Sequence, residues 1–339
     1  MASGRDIVVV AASAGGLQPL RSLLRNLPAD LPAAVFVVLH VPATGGRTLP
    51  HILDRAGPLL AAAAVDGERI RPGRVYVAPP DRHLLAINDT VRLSHGPRQN
   101  GVRPAADPLF RSAALYAGPR VTAVVLSGTL DDAALGSATV ERLGGQVIAQ
   151  DPDEADYDSM PRTAISVTEH PIVVPVAGIA EQVIRLAKQE GEMAFSGTPE
   201  PDKELIAEIN GMLAGAPETD TRSRDYSDLS CPECGGPLYL YRGERVETYD
   251  CLVGHRWSPQ SLLEEQSSGV ERALWLAIRS LEERARLTGS LADSARDRGH
   301  QLSASQFAEA ADEAKRSADA LRTAVNGMIA EVAAAPDEA

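Results

Sequence analysis

Residues 7–16 read IVVVAASAGG: an unbroken apolar, mostly β-branched run that stops at Ser13 and turns through Gly15-Gly16 into a helix-like stretch. A strand that is apolar at every position, rather than at alternate ones, is covered on both faces, and a helix directly after it is the signature of parallel βαβ architecture. The same pattern recurs at residues 35–39, 74–78, 121–126, 146–149 and 172–175. Residues 1–187 therefore predict an α/β domain with a doubly wound, mostly parallel sheet. Residues 84–87 and 90–93, separated by Asn88-Asp89, read as a hairpin inserted into that parallel order.

In such a sheet, reactive groups collect where the chain leaves the carboxyl ends of strands. The first run ends at Ser13, the second at Leu39-His40-Val41-Pro42, and the run at 121–126 ends in Ser127-Gly128-Thr129-Leu130-Asp131-Asp132. A serine hydroxyl is a poor nucleophile unless a base accepts its proton, and a carboxylate commonly orients that base. Ser, His and Asp at three strand ends meet that need and point to acyl transfer. Spacing alone leaves alternatives: Ser13 as a helix cap, the Gly-Gly turn as a phosphate cradle, Asp131 in place of Asp132, or His51, His83, His95 or His170 in place of His40. A nucleotide-binding reading is disfavoured, because Ser13 is followed by Ala-Gly-Gly-Leu and not by a Gly-x-Gly-x-x-Gly run.

The chain has 339 residues, enough for two or three domains, and a formal net charge of -13. That charge argues against a nucleic-acid partner, since phosphate neutralisation needs clustered Lys and Arg. No apolar run is long enough to cross a bilayer and no signal peptide is recognisable, so the cytoplasm is the expected compartment, without membrane insertion.

Residues 188–229 are polar and rich in Gly, Pro, Ser and Thr, and read as a linker with one short helix at 202–213. At residues 230–260, Cys231-x2-Cys234 is followed, after sixteen residues, by Cys251-x3-His255. Two such pairs, with the second returned by a hairpin at 238–241 and 245–249, form a zinc-ribbon-like module with a closed, structural zinc site. One disulfide plus a free thiol is the rival. The module holds more acidic than basic side chains, so no nucleic-acid contact is expected from it. Residues 261–335 carry two helical stripes: Leu274, Ile278, Leu281, Ala285, Thr288, Ala292 and Ala295, then Phe307, Ala311, Ala314, Ala318, Leu321, Val325 and Met328. With Gly299 as a stop and Ser303 to Gln306 as a capping box, they predict an antiparallel helical hairpin. The same stripes also permit a coiled coil, hence self-association, between copies.

Several separated motifs, in order, resemble the catalytic domain of bacterial chemotaxis protein-glutamate methylesterases. They are Ser13-Ala14-Gly15-Gly16, His40-Val41-Pro42, Val77-Ala78-Pro79 with the later His83, the stretch from Pro104 to Ser112, Gly128 to Ala133, and Ala149-Gln150-Asp151 with Ser159-Met160-Pro161-Arg162. The resemblance implies Ser13 as nucleophile, His40 as general base and then acid, and Asp132 as the orienting carboxylate. It also implies hydrolysis of glutamyl methyl esters on a chemoreceptor, with glutamine deamidation as a related activity and no cofactor in catalysis. A non-catalytic signalling scaffold on the same fold is the alternative. Two departures stand out. In the family's Gly-Met-Gly-x-Asp-Gly motif, Thr129-Leu130 replaces Met-Gly and Ala133 replaces the last Gly. The first strand also begins at Asp6 or Ile7, which leaves no room for the usual receiver domain, so control is expected from the C-terminal modules or a partner.

Overall fold

The computed structural model describes residues 4–40, 48–189, 202–215, 225–243 and 245–334, the last seven of these (328–334) as backbone only. Val41-Pro42, half of the 188–229 linker and the Met328 side chain lie outside that set. In chain order the strands are β1 Ile7–Ala12, β2 Ala34–Leu39, β3 Leu60–Ala63, β4 Arg74–Val77, β5 His83–Ile87, β6 Thr90–Ser94, β7 Val121–Val125, β8 Gln146–Gln150 and β9 Ile172–Val174. Four more follow: β10 Asp225–Ser230, β11 Pro237–Arg242, β12 Glu247–Cys251 and β13 Arg256–Trp257. The helices are α1 Leu17–Asn26, α2 Leu49–Asp54, α3 Ala106–Ala117, α4 Ala134–Arg142, α5 Ser159–Ser166, α6 Val176–Lys188, α7 Lys203–Ala214, α8 Pro259–Asp297 and α9 Gln301–Ala334. The chain divides into two compact units, Met1–Leu262 and Leu263–Ala339.

Seven strands form one sheet in the order β3-β4-β2-β1-β7-β8-β9, and every pairing in it is parallel. All six residues of β1 are buried because its two faces feed two cores. Ile7, Val9 and Ala11 face a cluster with Phe110 of α3, Val140 of α4, Met160 of α5 and Ile209 of α7. Val8, Val10 and Ala12 face Leu20 and Leu24 of α1, Leu53 of α2 and Val183 of α6. The hairpin β5-β6 does not enter the parallel sheet as expected from the sequence. It forms a separate two-stranded sheet, and all five residues of β5 are buried, on the α3 side of the molecule. Its apolar residues therefore cover a helical layer instead of extending the sheet.

The loop after β7 explains the two departures from the family motif. Leu130 has φ 60° and Ala133 has φ 84°, so both residues that replace glycine occupy left-handed backbone. An L-residue there costs roughly 1–2 kcal/mol, which the loop tolerates because its surroundings fix it. Ala133 is fully buried, and its carbonyl accepts from the Ser137 amide as α4 begins.

Strands β10 to β13 form a four-stranded antiparallel sheet, so the two strands read from the sequence are its middle pair and the sheet begins five residues earlier, at Asp225. A charge network ties this sheet to the helical layer. Arg256 Nη2 donates to Asp250 Oδ2 at 2.6 Å, its Nη1 donates to Glu208 Oε1 of α7 at 2.6 Å, and Arg111 Nη2 of α3 donates to Glu208 Oε2 at 2.6 Å.

In the second unit, Leu274, Ile278 and Leu281 of α8 share a cluster with Ala318, Leu321 and Val325 of α9. Helix α9 starts at Gln301 rather than after a Ser303 cap, because Gly299, at φ 77°, completes the turn and His300 already accepts from the Ala304 amide. Helix α8 starts at Pro259, two residues ahead of the expected start at 261. The Ser258 hydroxyl caps it by accepting from the Ser261 amide at 3.0 Å, and proline suits the first helical position.

Candidate active site and candidate metal centre

Strand order decides which strand ends meet. β1 lies between β2 and β7, in register with Val35–Leu39 on one side and Val121–Val125 on the other, so the residues that follow these three strands stand side by side. Ser13 Oγ is 3.0 Å from His40 Nδ1, and His40 Nε2 is 2.7 Å from Asp132 Oδ2. Burial alone pushes the Asp132 carboxyl up, but the hydrogen bond and charge of His40, then the amides of Ala106 and Asp107, outweigh it and hold the group below its ordinary value. An ionised carboxylate only accepts. The imidazole proton therefore sits on Nε2, and Nδ1 presents its lone pair to the Ser13 hydroxyl. Ser13 is half-buried and His40 is 14% exposed, whereas Asp132 is 3% exposed. The acid is enclosed and the serine stays within reach of a substrate.

The competing histidines stand elsewhere. His83 is fully buried, donates from Nε2 to the Pro97 carbonyl at 3.0 Å and accepts at Nδ1 from the Ala105 amide. Burial lowers its pKa to about 4, so it is neutral. His95 faces Asp81, and His51 and His170 are exposed on the surface. Asp131 points away from His40 and accepts from Ser258 Oγ at 2.6 Å.

The acid is held by crossed helix ends. Asp132, which precedes α4, accepts from the amides of Ala106 at 2.5 Å and Asp107 at 3.2 Å at the start of α3. Asp107 of α3 accepts in turn from the Gly136 amide of α4 at 2.7 Å. Burial first, then the negative charge of Asp132, pushes the Asp107 carboxyl well above the usual carboxylate range. Burial likewise raises Asp131, to about 6, against the opposing hydrogen bond from Ser258.

The floor beneath Ser13 comes from residues to which the sequence assigned no individual role. The Ser13 amide donates to the Ser127 carbonyl at 3.0 Å, and the Ser127 hydroxyl donates to the Ala14 carbonyl at 2.9 Å and accepts from the Tyr157 amide at 3.0 Å. Gln150 Oε1 accepts from the Ser127 amide. Ser127 was legible only as a strand end, and nothing in the sequence marks Gln150 as its partner. A Cβ on Gly128 meets Met160 Sδ and lies 2.8 Å from Ser13 Cβ, so that position has room for glycine alone.

Cys231, Cys234, Cys251 and His255 converge, with their ligand atoms all within 4.8 Å of one another. Cys234 Sγ is 3.7 Å from Cys251 Sγ, and His255 Nδ1 is 3.5 Å from Cys251 Sγ and 3.7 Å from Cys231 Sγ. A tetrahedral ion bound to sulfur at about 2.3 Å and nitrogen at about 2.0 Å separates its ligands by roughly 3.5–3.8 Å, and these three separations match that spacing. A disulfide needs sulfurs about 2.05 Å apart, and all three cysteines are free. The Cys231 and Cys251 thiols share one proton: their mutual hydrogen bond, with His255 beside it, holds the Cys231 thiol far below its ordinary value and pushes the Cys251 thiol up. Among the described residues, no helix is long and apolar enough to cross a membrane.

Two outcomes follow from this geometry. Gly128→Ala should displace Ser13 and slow its phosphonylation by a fluorophosphonate reagent on the order of 100-fold, the usual cost of about 1 Å of misplacement; an unchanged rate would show that the contact relaxes. Asp131 has its folded pKa raised, so its contribution to stability is complete below about pH 4 and is lost as pH rises through 6. Asp131→Asn keeps an acceptor for Ser258 and never ionises. Urea unfolding should therefore show it matching the wild type near pH 4 and exceeding it by on the order of 2 kcal/mol at pH 7.5; a pH-independent difference contradicts the assignment.

Comparison with known proteins identifies the family. The CheB methylesterase family matches residues 8–183. A Methanosarcina mazei protein named protein-glutamate methylesterase/protein-glutamine glutaminase 2 is 34% identical over 194 residues, covering 55% of this chain and 53% of its own. An Anaeromyxobacter dehalogenans protein of the same name, numbered 5, is 38% identical over 186 residues, covering 54% and 51%. The crystal structure of the Thermotoga maritima CheB methylesterase catalytic domain superposes with a TM-score of 0.51 at 35% identity, covering 53% of this chain and 98% of that domain. The chain spans about half the length of the curated relatives it matches. With over half of its residues matched, and with the strand-end serine, histidine and aspartate in one hydrogen-bonded line, the chain belongs to the CheB methylesterase family.

Proposed function

We propose that this chain hydrolyses glutamyl methyl esters on the cytoplasmic segments of chemoreceptors, and deamidates glutamine at such sites, with Ser13, His40 and Asp132 as its catalytic triad. The observation that supports this most directly is the unbroken line from Ser13 Oγ through both ring nitrogens of His40 to Asp132. Ser13 Oγ attacks the ester carbonyl while His40 Nδ1 takes its proton, and Asp132 stabilises the imidazolium through the Nε2–H bond. Backbone amides in the turn into α1 hold the developing oxyanion. The tetrahedral intermediate collapses as the Nδ1 proton passes to methoxide, and methanol leaves. Water then attacks the acyl-serine, giving its proton to Nδ1; that proton returns to Ser13 Oγ as glutamate is released. For glutamine the leaving group is ammonia.

We also infer that the metal is zinc, held by the thiolates of Cys231, Cys234 and Cys251 and by His255 Nδ1. Four protein ligands leave no open position, so the ion cross-links a small sheet and takes no part in the chemistry. The shared cluster of Ile278, Ala318 and Val325 supports a helical hairpin that buries its stripes within one chain rather than between copies.

Incubating the protein with a methylated receptor fragment should release methanol. Ser13→Ala and His40→Ala should each lower that rate by 10³-fold or more. Methanol release that persists in Ser13→Ala excludes this triad. Elemental analysis should find one zinc per chain in the wild type and a substoichiometric amount in Cys251→Ser, whose thermal midpoint should fall as well; full zinc occupancy in that variant rules out the ligand set.

A further inference from the structure

The metal-ligating module is contiguous with a strap that wraps Asn100, a residue joining it to the triad acid. The Cys251 amide donates to the His255 carbonyl at 3.0 Å, and the chain then runs directly through Arg256, Trp257 and Ser258 into α8. Along this run the Gly254 carbonyl accepts from Gln99 Nε2 at 3.1 Å, and the Arg256 carbonyl accepts from the Asn100 amide at 2.8 Å. Trp257, fully buried, lies where a Cβ on Gly101 would contact its ring at 3.2 Å.

Asn100 spans the gap with its carboxamide. Oδ1 accepts from the Ser258 amide at 2.9 Å and from Ser261 Oγ at 3.0 Å. Because a backbone amide only donates, this fixes the orientation of the group and turns Nδ2 the other way. There Nδ2 donates to Asp132 Oδ1 at 3.4 Å and to Asp107 Oδ2 at 3.4 Å. Few side chains suit this position. It needs a donor toward two buried carboxyls, an acceptor toward the strap, and a backbone at φ 52°, which asparagine tolerates better than most residues.

We propose that Asn100 is a positioning residue for Asp132, and that the metal-loaded module holds it in place, so that turnover at Ser13 depends on metal bound at Cys231, Cys234, Cys251 and His255. The inference rests on the hydrolase reading above. It goes further by making the module part of the active-site support. Loss of the ion frees the Cys251–His255 turn, loosens the strap from Asn100, and withdraws a donor from the acid that orients His40.

The test uses the full chain, zinc-loaded or stripped with a chelator, and reads both hydrolysis of a small activated ester and phosphonylation of Ser13. Asn100→Gly removes the side chain and suits the left-handed backbone. In the zinc-loaded state it should lower kcat on the order of 10-fold or more, the value of a hydrogen bond to a charged group, with KM changed less than about twofold. Chelation should lower wild-type kcat by a similar factor but cost Asn100→Gly little more, since the two losses act through one contact. Wild-type kcat in zinc-loaded Asn100→Gly, or equal losses on chelation in both proteins, overturns the proposal. Where chelation unfolds the protein, the zinc-loaded pair, matched in metal content and thermal midpoint, decides alone. Failure of the reagent to label Ser13 in the zinc-loaded wild type overturns both readings. Normal labelling with an indifferent Asn100→Gly removes only this one.

Discussion

Parallel pairing of β1 with β2 on one side and β7 on the other sets everything else in the first compact unit. Parallel strands all end on the same edge of the sheet, so three neighbours deliver three loops to one place. Ser13 and His40 follow their strands at once, and Asp132 arrives from a longer loop after β7. The two cores on either face of β1 hold its register, because a slip of one residue would exchange the sets that face α1 and α3. A site assembled from residues as far apart in sequence as Ser13 and Asp132 thus inherits its precision from the packing of valines and alanines.

Electrostatics then separates three aspartates that composition alone treats alike. Asp132 receives a ring N–H and two helix-end amides, and stays ionised despite burial. Asp107 and Asp131 lack a comparable set of donors, so burial and the charge of Asp132 push both upward. Enclosing one full negative charge beside two groups that favour neutrality limits the repulsion that three buried carboxylates would otherwise impose.

The strands and their ends were legible because unbroken β-branched runs have few other readings. β3, with the sequence Leu60 to Ala63, was not, since alanine favours helices and only its place beside β4 makes it a strand. Spacing alone left His40 level with four other histidines and Asp132 level with Asp131, because consecutive residues in a loop point in directions that no spacing rule gives; only the family motifs favoured His40 and Asp132. The convergence of Cys231, Cys234, Cys251 and His255 was legible from spacing, because local chain geometry brings such pairs together. Asn100, Ser127 and Ser258 were invisible as a group. Each is an ordinary turn or cap residue whose partner lies far off in the chain, and hydrogen bonds of that kind leave no periodicity to detect.

Leu130 and Ala133 keep the left-handed backbone without glycine. The shape of the acid loop is therefore imposed from outside, by β7, the start of α4 and the amides around Asp132, and not by local conformational freedom. A search that demands glycine at those two places would pass over this chain, although its serine, histidine and aspartate stand in line. The loop's amino acids depart from the family pattern while its carboxylate still reaches His40.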